Sequence, residues 1–193
     1  MISAILLAAG QSKRMINENK LVKNYKNIPL IKYAVDNVLN SSIDELIIVL
    51  GYLKEVIEKI IDENKKIKFT NNPNFESGIA SSIKIGLDNL SKETEAFFIC
   101  LGDMPNVNKE IYNQLINLSF SNKDKEIFVP YYQERQANPI LFSKKIKGKI
   151  RRIEGDFGAK KIIADNEKKV FKLSIRDKGV ITDFNNITDF ESK

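Results

Sequence analysis

The chain has 193 residues, which is enough for one ordinary domain with a substantial core and short for two. Histidine is absent, which excludes Ser-His-Asp hydrolysis, Cys-His proteolysis and His-ligated zinc. The single cysteine excludes an intramolecular disulfide and a Cys-based zinc site, so we expect a cytoplasmic protein. The net charge of +6 favours an anionic partner, and nucleotides and nucleic acids both qualify.

The first part of the chain predicts strands that alternate with helices. The apolar run Ile2 to Ala9 predicts a first strand and is too short to span a bilayer. Apolar residues at helical spacing predict a helix in IPLIKYAVDNVLN, with Pro29 in its first turn. A second helix is predicted in LKEVIEKIIDE, with Val56 on its apolar face, and ELIIVLG predicts a strand between the two helices.

The remaining elements continue this alternation. They are, in chain order, a strand in KIKFTNNPN, a helix in IASSIKIGLDNL, a strand in TEAFFICLGDMP, a helix in NKEIYNQLINLSF, strands in EIFVPYY and NPILFS, a short helix in GAKKIIADN and a strand in KVFKLSI. The pattern predicts an α/β fold with a mainly parallel central sheet and helices on both faces. No linker or repeat divides the sequence, so we expect a single domain over residues 1–193. Ligands of such sheets lie beyond the carboxyl ends of the strands.

The loop after the first strand, LAAGQSKRM, is a candidate phosphate-binding loop. Its small residues leave backbone N–H groups accessible, and Gln11, Ser12, Lys13, Arg14 and Lys20 add polar and cationic side chains. The spacing fits neither a P-loop nor a dinucleotide fingerprint. From the residues alone, a strand end with solvated basic side chains is an equally good interpretation.

A second candidate is Asp103 in LGDMP, at the predicted carboxyl end of another strand. An Asp beside a Pro is more often a turn former. Opposite a phosphate loop, however, such a carboxylate could hold Mg²⁺, whose other ligands would be phosphates and water.

Eight motifs in order resemble the MobA-like NTP transferase family, in particular its molybdenum cofactor cytidylyltransferase branch. They are LAAGQSKRM, NK at 19–20, IPLI, NPNFESGIASSIKIGL, LGDMP, NPILF, GDFGAKK and DFNNITDF. The resemblance runs from Ile2 to about Phe190. It implies a Rossmann-like, GT-A-like nucleotidyltransferase fold and a Mg²⁺-dependent transfer of a nucleotidyl group from an NTP to a phosphate acceptor, with release of pyrophosphate.

The resemblance also implies site residues. The nucleotide would be bound by three stretches, with the residues Leu7, Ala8, Ala9, Gly10, Gln11, Ser12, Arg14, Lys20, Asn72, Gly78 and Ser82. Arg14, Lys20 and Asp103 would be catalytic, and Asp103 and Asn185 would hold the metal. Without the resemblance, Asn72, Gly78 and Ser82 are more simply a turn residue, a helix-entry glycine and a surface serine.

The sequence departs from the family pattern at several positions. Ile16 stands where glycine usually follows RM, Ala137 stands where glycine usually precedes NPILF, and residues 186–188 read NIT rather than TPE. Asp156 in GDFGAKK is expected to be a helix N-cap, a residue that helps to position the acceptor, or both. We interpret Cys100 as a buried strand residue without a catalytic role.

We expect CTP as the nucleotide, because LAAG resembles the cytidylyl branch more than LAGG of the guanylyl branch. A molybdopterin-type acceptor and a downstream molybdoenzyme or chaperone are the expected partners. The acceptor's phosphate is largely ionised at neutral pH, so the missing histidine is no obstacle to the chemistry.

Other functions stay open at this point. They are guanylyl transfer, transfer to a sugar phosphate or methylerythritol phosphate, and a non-catalytic nucleotide-binding or cofactor-chaperone protein. Neither a membrane nor nucleic acid is an expected partner. The basic run KKIKGKIRR lacks interleaved aromatic residues, so we interpret it as a solvated face or as a rim that attracts an anionic acceptor.

Overall fold

The structure of the protein, a computed structural model, describes residues 1–15, 18–155 and 160–191. The strands in these ranges are β1 Ile2–Ala8, β2 Asn24–Tyr25, β3 Ile28–Pro29, β4 Glu45–Leu50, β5 Ile67–Asn71, β6 Ala96–Leu101, β7 Ile127–Tyr132, β8 Arg135–Gln136, β9 Ile140–Ser143 and β10 Val170–Ser174. The α-helices are α1 Leu30–Leu39, α2 Lys54–Ile60, α3 Ile79–Asp88, α4 Lys109–Ser121, α5 Lys147–Ile150, α6 Lys160–Asp165 and α7 Thr188–Glu191. None of the helices so described is long and apolar enough to cross a bilayer.

One large sheet organises the molecule, with strand order β10-β7-β9-β6-β1-β4-β5 and with β8 paired to β7. The central strand β1 is parallel to β4 on one side and to β6 on the other. Strand β9 is antiparallel to both of its neighbours, β6 and β7. The predicted mainly parallel sheet is therefore confirmed, and the chain runs outward from β1 in both directions, which creates a crevice at the carboxyl ends of β1 and β6.

Helices cover both faces of the sheet, as predicted. Helices α1 and α4 pack on one face, and α3, α5 and α6 pack on the other. All seven residues of β1 are buried, because both of its faces lie against helices. A continuous apolar run rather than an alternating one is the sequence signature of such a strand.

Gly86 in α3 allows this helix to lie close to β1. A Cβ atom at position 86 would lie 2.3 Å from Cγ2 of Ile5, so any larger residue would push the helix away from the sheet. This close contact places the first turn of α3 beside the end of β1. The crevice therefore has α3 as one of its walls.

Two details of the predicted helices are wrong. Pro29 precedes α1 as its N-cap and lies in the hairpin β2–β3, because Ile28 pairs with Tyr25 instead of joining the helix. Val56 is exposed, because α2 begins only after Leu53, whose φ of 57° is left-handed, and then directs Ile57 toward the core. Residues adjacent in a helix lie about 100° apart around its axis, so Val56 faces away from the core.

Cys100 is buried in β6, as predicted. Burial raises the pKa of its thiol to about 12, and a hydrogen bond with the Tyr112 side chain opposes this shift only in part. A thiol in this setting stays protonated and unreactive at neutral pH.

Candidate active site

An open cleft of about 500 Å³ lies at the carboxyl ends of β1 and β6. Its lining comes from four parts of the chain: the loop after β1, the segment before and within α3, the end of β6 with Asp103, and the segment around Asn185. The residues that line it are Leu7, Ala9, Gly10, Gln11, Ser12, Lys13, Arg14, Lys20, Leu21, Phe75, Glu76, Gly78, Ile79, Ser82, Leu101, Asp103 and Asn185.

The loop after β1 is held in shape by a buried amide. The Asn19 side chain donates to the Gly10 carbonyl at 2.9 Å and accepts from the Leu21 N–H at 2.9 Å. The Lys20 N–H donates to Ser12 Oγ at 3.2 Å, and Ser12 has a left-handed φ of 56°. These bonds close the loop where it leaves and rejoins the core, so the Lys20 backbone has a fixed position beside Gly10.

The base of the loop rests against the end of β4. The Tyr52 N–H donates to the Ala9 carbonyl at 3.1 Å, and a Cβ at Gly51 would lie 2.9 Å from Ala9 Cβ. Only glycine fits at position 51 without displacing Ala9. The close approach keeps Ala9 and Gly10 at the floor of the cleft.

Lys20 links the loop to the two candidate metal ligands. Its ammonium donates to Asp103 Oδ2 and, at 2.8 Å, to Asn185 Oδ1. The Arg14 guanidinium donates to the same Asn185 oxygen, also at 2.8 Å. The side chains of Lys20 and Asp103 are 16% and 17% exposed, so the pair is partly shielded from water but open to the cleft.

Asn185 reaches this position because the C-terminal segment packs against the turn after β6. The Phe184 N–H donates to the Asp103 carbonyl at 2.9 Å, and the Phe184 ring packs on Tyr25 with ring centroids 4.9 Å apart. The Asp189 carboxylate accepts from the Asn185 N–H at 2.7 Å. Asp183 accepts from the Asn185 side-chain amide at 2.5 Å, which turns the Asn185 oxygen toward Lys20.

The donor set fits a hard divalent cation. Asp103 Oδ2 and Asn185 Oδ1 converge on one point, since a single ammonium contacts both. Over residues 1–15, 18–155 and 160–191, no group of three or more His, Cys, Asp or Glu side chains could hold a metal. A cation at this point would have two protein ligands, and phosphate oxygens and water would complete its coordination, as Mg²⁺ commonly requires.

The opposite wall of the cleft depends on Gly78. Its φ of 103° and ψ of 170° belong to a region that only glycine adopts readily, and they turn the chain from a short 3₁₀ segment into α3. Ser82 lies one turn further along α3 and lines the cleft.

Asn72 lies behind this wall. Its amide donates to Ser82 Oγ at 2.9 Å and to Ser81 Oγ at 2.8 Å, and its oxygen accepts from the Asn74 N–H at 3.0 Å. Asn72 is almost completely buried and holds the segment before α3 against β5. Asn72 therefore supports the wall and is not part of its surface.

All but two of the predicted site residues line the cleft. The exceptions are Asn72 and Ala8, whose side chain points into the core. Ile16 and Asp156 lie outside the described residues, so the predictions attached to them stay predictions. Ala137 is buried and its N–H donates to the Pro130 carbonyl at 2.9 Å, away from the residues that line the cleft.

Several contributors to the cleft were not predicted from the sequence, among them Phe75, Glu76 and Asn19. Phe75 and Glu76 form part of the wall, and Glu76 accepts a hydrogen bond from the Gln11 side chain at 2.8 Å across the cleft. Both residues precede Gly78 by three positions or fewer in NPNFESG. Gly78 was itself a predicted site residue, so its neighbours could have been included. Asn19 stands between Glu18 and Lys20, and a polar residue in a polar stretch gives no hint of its buried hydrogen bonds.

A doubly wound sheet whose crevice holds a loop of small residues and a facing carboxylate is typical of nucleotide-binding enzymes. The chain belongs to the MobA-like NTP transferase family, whose domain matches residues 4–170. This confirms the resemblance that the motifs indicated.

Curated relatives include two proteins named for the molybdenum cofactor. The chain is 28% identical over 156 residues to a probable molybdenum cofactor guanylyltransferase of Methanosarcina mazei, covering 78% of this chain and 67% of the relative. It is 25% identical over 143 residues to the molybdenum cofactor cytidylyltransferase of Escherichia coli K12, covering 74% and 70%. Other relatives are bifunctional GlmU proteins, and the chain spans only about a third of their length, for example 32% of the one from Caldicellulosiruptor saccharolyticus.

The fold is also found in solved structures. The crystal structure of Rv0371c from Mycobacterium tuberculosis H37Rv superposes with a TM-score of 0.85 at 22% identity, covering 98% of this chain and 95% of that one. A second structure of Rv0371c, in complex with manganese, has a TM-score of 0.80 at 20% identity, covering 98% and 96%. At this level of identity the likeness establishes the shared fold.

Proposed function

We propose that the protein is a metal-dependent nucleotidyltransferase that transfers CMP from CTP to a phosphate group on a molybdopterin-type acceptor and releases pyrophosphate. One observation carries the proposal: Lys20 joins the loop after β1 to Asp103 and Asn185 within a single cleft. Two distant stretches that suit a triphosphate and its metal therefore face each other. The names of two relatives support the molybdenum cofactor as the acceptor class.

The loop after β1 would bind the triphosphate. Residues Ala9 to Ser12 line the cleft together with Arg14 and Lys20, and the backbone N–H groups of this loop would donate to the phosphates. Backbone donors fix the phosphates in place, and the two cations stabilise the negative charge that develops on the α-phosphate and on the leaving pyrophosphate. The nucleophile is a phosphate that is largely ionised at neutral pH, so the chain needs to supply no base.

Asp103 and Asn185 would hold the divalent cation. A divalent cation held by these two residues would supply neutralisation of the negative charge of the phosphates. A manganese complex of a protein with the same fold supports a divalent metal in general, and Mg²⁺ is the ion that we propose. The cleft then needs to position its substrates for in-line attack and to neutralise charge, which the residues present can do without histidine.

Ala9 supports CTP as the nucleotide. It is the third residue of LAAG, which resembles the cytidylyl branch more than LAGG of the guanylyl branch. The relative from Methanosarcina mazei keeps guanylyl transfer as the second candidate.

A thermal-shift panel tests the nucleotide. With Mg²⁺ present we expect CTP to raise the melting temperature more than GTP, ATP or UTP, because a ligand that binds only the native state stabilises it. The Ala9→Gly variant should reduce the difference between CTP and GTP. A larger shift with GTP in the wild-type protein would replace cytidylyl transfer with guanylyl transfer.

A pyrophosphate-release assay tests catalysis. Asp103→Asn should lower the release of pyrophosphate from CTP and a molybdopterin acceptor by about a thousandfold or more, because the variant loses a metal ligand. Asp62→Asn is the matched control, since Asp62 pairs with Lys32 outside the cleft. Normal turnover by Asp103→Asn would disprove the metal assignment, and binding of CTP without turnover in the wild type would favour a nucleotide-binding or chaperone protein.

A further inference from the structure

The ammonium of Lys20 occupies the point where the two proposed metal ligands converge. It contacts Asp103 Oδ2 and Asn185 Oδ1 at once. An ammonium and a divalent cation both need oxygen ligands, and they cannot share one position. The position of Lys20 therefore affects metal binding as well as phosphate binding.

We propose that Lys20 is a built-in competitor of the metal: in the nucleotide-free protein its ammonium fills the divalent-cation position, and a bound triphosphate frees that position by drawing Lys20 onto its own oxygens. The inference rests on the proposed function, because it uses the same two ligands. It adds an order of events, in which the metal enters with the nucleotide and not before it.

The hydrogen bonds of Asn185 support the competition. Its oxygen accepts from both Lys20 and Arg14, at 2.8 Å each. An amide oxygen has two lone pairs, so both are in use. A metal can bind this oxygen only when at least one of the two cations has moved away.

The charge of the cleft acts in the same direction. Its lining includes three cationic side chains, Lys13, Arg14 and Lys20, and two carboxylates, Glu76 and Asp103, while the carboxylates of Asp183 and Asp189 contact Asn185 beside it. The ammonium of Lys20 lies at the metal position itself, so a free divalent cation meets a positive charge at that point. A triphosphate, by contrast, is attracted to this site and supplies the oxygens that Lys20 needs when it leaves Asp103.

The local geometry allows Lys20 to move without the loop. Asn19 and Ser12 hold the backbone on both sides of its Cα, whereas four flexible methylene groups separate the ammonium from that anchor. The ammonium borders the cleft rather than the core. A change of side-chain rotamer is therefore enough to exchange one set of oxygen ligands for another.

Mn²⁺ binding in the absence of any nucleotide tests this inference. Free Mn²⁺ is measured by electron paramagnetic resonance while Mn²⁺ is titrated into wild-type protein, Lys20→Met and Lys23→Met. Lys20→Met should bind Mn²⁺ about tenfold more tightly than wild type, because the competing charge is gone. Lys23→Met loses the same charge at a residue that pairs with Glu18 outside the cleft lining, and it should bind as wild type does.

The double variant Lys20→Met/Asp103→Asn locates the effect. It should lose the added affinity, because the metal would lack the Asp103 carboxylate as a ligand. Lys20→Gln, which keeps a polar but uncharged side chain, should behave like Lys20→Met and serves if the Met variant does not fold.

The inference is overturned if Lys20→Met and Lys20→Gln bind Mn²⁺ no more tightly than wild type. It is overturned equally if Lys23→Met gains as much affinity, or if Asp103→Asn does not remove the gain. Because no nucleotide is present and no turnover is measured, these outcomes are independent of whether the wild-type protein transfers CMP.

Discussion

The two ends of the central sheet use charged residues in opposite ways. At the amino end, the Glu45 side chain is 4% exposed and is surrounded by partners from the chain itself: Ser3, the Ser91 N–H and Lys68. At the carboxyl end, Lys20, Arg14 and Asp103 border an open cleft. The first group lies at the start of β1 and β4 and the second lies beyond the ends of β1 and β6, so the length of β1, about 20 Å, separates them.

The difference separates a structural cluster from a binding site. Ser3 and Glu45 are paired across β1 and β4, and Ser3 also bonds Thr94 at 2.8 Å, so the amino-end cluster offers no group to a ligand. At the carboxyl end, cations and backbone donors face the space of the cleft. The cations now donate to a carboxylate and an amide oxygen, and phosphate oxygens can replace these two acceptors.

Glu45→Ala should have the largest effect on stability. The change removes a buried carboxylate and leaves Ser3 and the Ser91 N–H without their acceptor, so the free energy of unfolding should fall by about 2 kcal/mol. Urea unfolding measures this loss. The affinity for CTP at a temperature where the variant is folded should not change, and a parallel loss of affinity would mean that the two ends are not separate.

Asn19→Ala should damage the carboxyl end in particular. Losing two buried hydrogen bonds should lower the free energy of unfolding by about 1.5 kcal/mol, and the loosened loop should weaken CTP binding about tenfold. Asn166→Ala is the matched control, because Asn166 is also a buried amide that donates to a backbone carbonyl, at 2.7 Å, on α6. Equal losses of CTP affinity in both variants would show a general effect of stability.

Cys100 tests the apolar interior between the two ends. The unfolded chain releases the thiol proton near the ordinary pKa of 9.0, whereas the folded chain holds it to about 12. The unfolded state therefore binds fewer protons above pH 9, and stability should fall as the pH rises from 9 toward 12. Between pH 8 and 10, wild type should lose about 1 kcal/mol more than Cys100→Ala in urea unfolding. Identical pH profiles would mean that water reaches this part of β6.

Arg151→Ala should have the smallest effect. Arg151 pairs with Asp88, and both side chains are 51% exposed, so the free energy of unfolding should change by no more than about 0.5 kcal/mol. The same urea titration measures it. A loss as large as that of Glu45→Ala would remove the contrast between buried and exposed ion pairs on which the comparison rests.

Much of the fold could be predicted because β1, β4 and β6 are continuous apolar runs and the helices between them are amphipathic. The strands are apolar throughout because both faces of the sheet are covered, so almost every side chain of these strands is buried. The hairpin β2–β3 could not be predicted, because each of its strands has only two residues. Strands this short show no alternating pattern, and backbone hydrogen bonds hold them together. The single-domain organisation over 1–193 stays a prediction.

The candidate site was predictable to a different degree. Leu7 to Arg14 could be chosen because small residues follow a buried strand, and Asp103 because a polar residue ends another. Asn185 came only from the family resemblance, because 82 positions separate it from Asp103 in the sequence. Asn19, Phe75 and Glu76 were missed because their roles depend on contacts that no local pattern records.

The sequence by itself determined the class of fold and the exclusion of histidine chemistry, and it pointed to a candidate phosphate loop, since these follow from residue types and their spacing. Only the tertiary structure decided that Lys20 contacts both Asp103 and Asn185. It also decided that Asn72 supports the wall of the cleft from behind, and that the partners of the Glu45 carboxylate come from the chain itself. The physical reason is that burial and periodicity act along the chain, whereas the partner of a charged side chain is fixed by where distant strands end.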